Sequence, residues 1–90
     1  MSMPAKYTLT LTPAASRDLD GIHGKVKNDV LDALAQLEQE PRGHNVQKLK
    51  AMKIPTYRKK VRSFRIVFHI DDNNKTLIVT KISDRKDVYD

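Results

Sequence analysis

Cysteine is absent from this sequence of 90 residues. Neither a disulfide framework nor a metal site with thiolate ligands can therefore form, and a reducing compartment is compatible with the composition. The three histidines, His23, His44 and His69, show no spacing typical of zinc ligands, and there is no H-x-E or H-x-x-x-H motif. We therefore predict no metal site.

Long apolar runs and glycine-rich loops are absent as well. The first residues, MSMPAKYTLTLTP, lack the apolar segment of a signal peptide, and no run of about 18 apolar residues is available to span a bilayer. We expect a cytoplasmic protein with no membrane partner. Without a glycine-rich phosphate loop, nucleotide-dependent functions are disfavoured, and we predict no cofactor. The length suits a single domain, residues 1–90, with one modest core.

Acidic residues are missing from one long segment, residues 42–65. This segment carries nine Lys or Arg, whereas the eight remaining cations are outnumbered by eleven acids, and the whole chain has a net charge of +6. Such a block repels itself unless a partner offsets the charge, so it points to a polyanionic partner. The cations of the block are at positions 42, 48, 50, 53, 58, 59, 60, 62 and 65.

The first part of the chain is predicted to form one strand and two helices. Apolar residues alternate with threonine over residues 7–11, which is typical of a half-buried strand. Thr12 followed by Pro13 matches an N-cap with proline in the first helical turn, and this helix breaks at residues 21–24. Apolar residues then recur at helical spacing from about Lys25 to just before Pro41. The helix carboxylates Asp18, Asp20, Asp29 and Asp32 are interpreted as solvated.

The second part of the chain is predicted to be a meander of three strands. They cover residues 56–61, 64–70 and 76–82, and they follow a loop at residues 43–55 that has room for one short strand or turn. The order β-α-α-β-β-β favours a small α+β domain, an antiparallel sheet with two helices packed on one face.

The cations of the first hairpin separate onto one face of this sheet. A two-residue turn at Arg62 and Ser63 pairs Lys60 with Arg65 and Arg58 with Val67. Arg58, Lys60 and Arg65 then share the face opposite the core, while Lys59 falls on the core side and must snorkel or lie at an edge. Like charges directly opposite each other cost roughly 0.2–1 kcal/mol. A phosphate-binding face would explain why this cost is tolerated.

The order of these segments resembles the RelE/ParE superfamily of bacterial toxins, in particular its RelE-like branch. The matching segments are L-K (49–50), Y-R-K-K-V (57–61), F-R-I-V-F (64–68) and I-x-x-R-K-D-V-Y (82–89), preceded by Y-x-L-x-L-T-P-x-A-x-R-D-L (7–19). The resemblance implies a toxin of a type II toxin–antitoxin system. It further implies a ribosome-dependent endoribonuclease that cleaves mRNA in the ribosomal A site, on the 30S subunit, by metal-independent attack of the ribose 2′-hydroxyl.

Carried over by this resemblance, the candidate catalytic residues are Arg58, Lys60, Arg65, Arg85 and Tyr89. We assign Lys60 as the base because neighbouring cations favour a neutral amine, whereas an arginine stays protonated. Arg58 and Arg65 are assigned to the extra negative charge on phosphorus, Arg85 to the leaving 5′ oxygen and Tyr89 to base stacking or orientation of the 2′-hydroxyl. The candidate RNA-binding residues are Lys48, Lys50, Lys53, Lys59 and Arg62.

Two other functions stay open at this stage. A ParE-like toxin of the same fold would inhibit DNA gyrase by binding, and a non-catalytic basic module would bind RNA or the ribosome without cutting. The toxin interpretations imply a cognate antitoxin, in a hetero-oligomeric complex, that covers the basic face with an acidic or amphipathic helical segment.

Overall fold

The computed structural model describes residues 6–84. Thr12 begins the first helix as predicted, because its Oγ1 accepts a hydrogen bond from the Ala15 amide at 3.2 Å and Pro13 occupies the first turn. Arg85 and Tyr89 lie outside the described residues. The elements are β1 (Thr8–Leu11), α1 (Pro13–Asp20), α2 (Gly24–Gln39), β2 (Val46–Lys48), β3 (Thr56–Val61), β4 (Phe64–Asp71) and β5 (Thr76–Asp84).

The sheet has five strands in the order β1-β5-β4-β3-β2. Its β3–β4–β5 meander is antiparallel, which confirms the predicted α+β architecture. The segment 43–55 contributes a short edge strand, β2, for which the prediction left room. One detail differs from the prediction: β1 pairs with β5 in parallel, because a long stretch of chain separates the two strands and lets them run in the same direction.

Both helices pack on one side of the sheet, which we call the inner face. The helix residues Ala15, Val30 and Leu37 are completely buried in the same core as Phe68 of β4 and Leu77 of β5. Burial of the Val, Leu and Phe side chains among them stabilises the fold by roughly 1.5–3 kcal/mol each. The opposite side of the sheet, the outer face, is left without a helix in the described part of the chain.

The β3–β4 hairpin has the predicted register. Val61 pairs with Phe64, Lys60 with Arg65, and Arg58 with Val67. Arg62, at the turn, adopts a left-handed backbone with φ of 54°. This conformation costs a non-glycine residue roughly 1–2 kcal/mol. The pairing of β3 with β4 on either side of the turn offsets this cost.

A β-bulge interrupts the pairing of β4 with β5. Val67 pairs with Lys81 whereas Phe68 pairs with Val79, so Thr80 is the extra residue. Val79 and Ile82, three positions apart, therefore both point into the core. The bulge places Lys81 and Ser83 on the outer face. Strict alternation from Leu77 and Val79 would instead have placed Lys81 in the core.

Candidate functional site

The outer face of strands β3, β4 and β5 carries two adjacent rows of paired residues. Two residues along a strand separate the rows, a distance of roughly 6.6 Å. The lateral order within each row follows the sheet, from β3 through β4 to β5. The first row consists of Lys60, Arg65 and Ser83, and the second row of Arg58, Val67 and Lys81.

The chain between β2 and β3 turns these rows into a groove. Leu49, Lys50 and Met52 face the strands across a space of about 340 Å³, which we call the basic groove. Four of its eight lining residues are cations and none of the eight is acidic. The lining of the groove is therefore electrostatically complementary to an anion. Its lining residues are Leu49, Lys50, Met52, Arg58, Arg65, Val67, Lys81 and Ser83.

Arg58 is held in place from the edge strand. Its Nη2 donates to Oε1 of Gln47 on β2 at 2.9 Å, while its Nε is buried and has no hydrogen-bond partner among residues 6–84. Arg65 is only 9% exposed, so its guanidinium sits in the floor of the sheet rather than in bulk water. A cation of low exposure acts on a bound anion with less solvent screening than a surface lysine does.

Lys60 stands beside these arginines and differs from them in exposure. It is exposed on β3, directly across from Arg65, and does not line the basic groove itself. A ligand that bridges Lys60 and Arg65 therefore lies at the end of the groove, with the first row beneath it. Lys60 and Arg65 pair with each other, as the hairpin register predicted from the sequence requires.

The model of the family described as ParE toxin of type II toxin–antitoxin system, parDE, matches residues 9–89. The chain belongs to the ParE toxin family. The resemblance to the RelE/ParE superfamily is thereby confirmed.

Solved structures share the fold of this toxin. The archaeal RelE–RelB complex from Pyrococcus horikoshii OT3 matches with a TM-score of 0.79 and 18% identity, covering 92% of this chain and 99% of that one. The RelBE2 toxin–antitoxin complex from Mycobacterium tuberculosis matches with a TM-score of 0.78 and 24% identity, covering 90% of this chain and 93% of that one. The intact E. coli RelBE complex matches with a TM-score of 0.75 and 23% identity, covering 87% of this chain and 95% of that one. None of the curated proteins searched matches the chain.

Two residues predicted to bind RNA lie elsewhere in the toxin. Lys59 is 5% exposed on the inner side, and its Nζ donates to the His44 carbonyl oxygen at 2.7 Å. Burial lowers the pKa of the Lys59 ammonium. Arg62, at the hairpin turn, forms an ion pair with Asp29 of α2. Neither side chain is placed with the outer-face cations, so we leave both out of the proposed RNA contacts.

The other predicted RNA-binding lysines lie beside the groove. Lys48, Lys50 and Lys53 are exposed along the end of β2 and the loop that follows it, and Lys50 lines the groove. Among residues 6–84, no helix is long and apolar enough to cross a membrane. Nor do three or more His, Asp or Glu side chains in that range come together as a group that could hold a metal ion.

Sequence reasoning missed Lys81 and Ser83. Both are on β5, beyond the bulge at Thr80, which reverses the faces that the residues after it occupy. The available signal was the spacing of Val79 and Ile82, since two apolar residues three apart near the end of a strand are compatible with a bulge. Asp18 was also misinterpreted as solvated, because its Oδ2 accepts a hydrogen bond from the Ile82 amide at 3.0 Å.

Proposed function

We propose that this toxin is a ribosome-dependent endoribonuclease that cleaves mRNA in the 30S A site, as the RelE-like resemblance implies. The observation that carries the proposal is the direct pairing of Lys60 with Arg65 at the end of a basic groove. Two cations opposite each other on a sheet repel, and a phosphodiester between them would turn that repulsion into attraction.

The chemistry needs a base, an anion receptor and a donor for the leaving group. Lys60, in its neutral form, takes the proton of the ribose 2′-hydroxyl as the 2′ oxygen forms a bond to phosphorus. The bond from phosphorus to the 5′ oxygen then breaks, which leaves a 2′,3′-cyclic phosphate and a 5′-hydroxyl. Arg65 and Arg58 bind the non-bridging oxygens, where negative charge accumulates in the transition state.

The remaining two roles stay with Arg85 and Tyr89, as predicted from the sequence. Arg85 would stabilise the charge on the leaving 5′ oxygen, which takes its proton from water to give the 5′-hydroxyl, and Tyr89 would stack on a base or orient the 2′-hydroxyl. Lys48, Lys50 and Lys53 would add sequence-independent attraction to the phosphates of the ribosome and mRNA.

Dependence on the ribosome has a physical basis in this arrangement. The proposed site has a single lysine as its base, and attack requires the 2′ oxygen, phosphorus and 5′ oxygen to be in line. A flexible RNA rarely adopts that geometry, whereas mRNA held in the decoding site has already lost much of its conformational freedom. Alignment of the mRNA by the ribosome would therefore provide much of the rate enhancement, in addition to what the side chains provide.

An antitoxin partner is part of the proposal. Two of the most similar structures are described as toxin–antitoxin complexes, RelBE2 from Mycobacterium tuberculosis and RelBE from E. coli. The basic groove gives an acidic antitoxin segment a complementary surface, and occupying it would exclude RNA from the same cations. Inhibition would then be competitive with RNA.

Primer extension on an mRNA in a purified translation system tests the activity. Wild-type toxin should produce cuts at the decoding site only when ribosomes are present. Lys60→Ala and Arg65→Ala should each reduce the cleavage rate at least about 100-fold. Lys25→Ala, which removes one exposed cation from α2 on the helix side, is the matched control and should cleave like wild type. Undiminished cleavage by folded Lys60→Ala would exclude Lys60 as the base.

Gyrase inhibition is the second candidate, because the matching family model is that of ParE toxins. A gyrase inhibitor acts by binding and does not need a base, so Lys60→Ala should inhibit nearly as well as wild type. Supercoiling by purified gyrase, measured with increasing toxin, distinguishes the two functions. If the toxin inhibits supercoiling and leaves mRNA intact, gyrase inhibition replaces the nuclease proposal. If it does neither, the remaining function is that of a non-catalytic RNA-binding module.

A further inference from the structure

Two buried hydrogen-bond donors in the described structure have no acceptor, and both belong to residues of the basic groove. They are Nε of Arg58 and the hydroxyl of Ser83. Ser83 is only 9% exposed. Buried polar groups in folded proteins nearly always have a partner, so two orphans beside one groove call for an explanation.

A phosphate group supplies what both donors lack. Its oxygens accept several hydrogen bonds at once, and the groove already carries cations from three directions, Lys50 in the loop, Arg58 on β3 and Lys81 on β5. The Oγ of Ser83 is covered, but rotation about the bond from Cα to Cβ is sufficient to redirect a serine hydroxyl.

The rest of the groove is apolar. Leu49 and Met52 in the loop and Val67 in the sheet provide a surface for the uncharged part of a ligand, next to the cations. A volume of about 340 Å³ is at the small end of the range for ligand pockets. A charged phosphate next to an uncharged nucleoside, whose flat base packs its faces on apolar side chains, is the chemistry of a nucleotide.

From these observations we propose that the basic groove is a nucleotide subsite in which Ser83 and Lys81 bind the phosphate and the apolar wall contacts the nucleoside. Ser83 donates to a phosphate oxygen and Lys81 provides a point charge, while Arg58 contributes its unused Nε. Ser83 pairs with Arg65 in the first row and Lys81 lies in the second row, so on the proposed function the site holds a nucleotide adjoining the bond to be cut. That last step rests on the proposed function, whereas nucleotide binding does not.

The position of Ser83 and Lys81 follows from the bulge. Without the extra residue Thr80, Lys81 would continue the inner-face alternation of Leu77 and Val79. The distortion of β5 thus places a cation and a hydroxyl in the groove, in keeping with the frequent occurrence of bulges beside functional sites.

Binding by the isolated full-length chain tests the inference. Adenosine 3′-monophosphate, inorganic phosphate and adenosine are each titrated and followed by NMR shifts of the Val67 and Leu49 methyl groups. The nucleotide should bind more tightly than phosphate or adenosine and shift both residues. Ser83→Ala should weaken nucleotide binding roughly tenfold and Lys81→Met up to about fivefold. The controls Ser16→Ala and Lys25→Met, both on the helices, should bind like wild type.

The melting temperature separates a ligand contact from a structural role. Because the Ser83 hydroxyl is unsatisfied, Ser83→Ala should melt at the same temperature as wild type or higher while it loses affinity. Should Ser83→Ala fail to fold, Lys81→Met carries the test, since Lys81 is exposed. Unchanged nucleotide binding in Ser83→Ala or Lys81→Met overturns the role of that residue, and equal binding of phosphate and nucleotide overturns the nucleotide subsite.

The outcome is independent of the cleavage assay. Ribosome-dependent cleavage by a toxin that does not bind the nucleotide would remove only the subsite. Nucleotide binding by a toxin that leaves mRNA intact on the ribosome would remove only the nuclease proposal.

Discussion

At the scale of single residues, Lys59 shows how far alternation along a strand can be trusted. Its position between Arg58 and Lys60 predicts an inward side chain, and the side chain is indeed buried. The partner that makes this burial tolerable, the His44 carbonyl oxygen, lies in a loop without sequence periodicity. A backbone acceptor is invisible in a sequence, because every residue supplies one.

The buried ammonium predicts an unusual dependence of stability on pH. Burial lowers the pKa of Lys59 in the folded state below its ordinary value of 10.5. Below the folded-state pKa, Lys59 binds its proton in both states, but between the two pKa values the unfolded chain binds more protons. The contribution of Lys59 to the free energy of unfolding should therefore rise as pH increases through this alkaline window.

Urea unfolding at several pH values from 7 to 10 checks this expectation. The measured quantity is the difference in free energy of unfolding between wild type and Lys59→Met, which cancels the titration of other groups. The free energy of unfolding of wild type should increase relative to that of Lys59→Met as the pH rises. A difference that stays constant over this range would show that Lys59 titrates alike in both states.

At the scale of secondary-structure elements, β5 depends on α1 beyond the end of β1. Strand β1 pairs only with residues 76–79 of β5, so the edge of β5 after the bulge has no neighbouring strand there within the described residues. Asp18 on α1 accepts the hydrogen bond of the Ile82 amide at this edge. The helix thus fixes the segment that carries Lys81 and Ser83.

Replacing Asp18 should loosen this segment. Asp18→Ala leaves the Ile82 amide without its carboxylate acceptor and should lower the free energy of unfolding by roughly 1.5–3 kcal/mol, the range for a hydrogen bond to a charged group. Asp20→Ala removes an exposed carboxylate from the same helix and should change stability by less than about 0.5 kcal/mol. Denaturant unfolding of the two variants measures both values, and equal losses would argue against the Asp18 contact.

At the scale of the whole molecule, the sequence was most informative where local pattern and pairing agree. The hairpin register of β3 and β4 followed from the two-residue turn and the apolar alternation, and the Thr12 cap from its proline. The parallel β1–β5 pair could not be predicted, because it depends on contacts between distant segments. The bulge at Thr80 was marked only by the spacing of Val79 and Ile82. Lys81 and Ser83, two of the eight residues that line the groove, were therefore missed along with the bulge.

The same scale explains how the cationic block is distributed. Arg42 pairs with Asp72, and its hydrogen bonds, with a further one from Tyr7, hold the pKa of the Asp72 carboxyl below its usual value. Arg62 pairs with Asp29, and Lys59 is buried. The other six cations of the block lie on the outer face or on the β2 end and loop beside it, so the charge is concentrated on the surface that the proposed function assigns to RNA. These six are Lys48, Lys50, Lys53, Arg58, Lys60 and Arg65.

A concentration of this kind should be visible in the salt dependence of RNA binding. Each phosphate contact contributes roughly 0.7 to the slope of log K against log salt concentration for single strands. Replacing Lys48, Lys50 and Lys53 together by Met should therefore reduce that slope by about 2 for a single-stranded RNA, measured by fluorescence anisotropy between low and physiological salt. The triple variant of Lys25, Lys27 and Lys75, three cations outside the block, is the control with the same change in net charge. Equal slopes in the two triple variants would mean that the RNA responds to net charge alone, whereas a reduction confined to the first variant would locate the contact beside the basic groove.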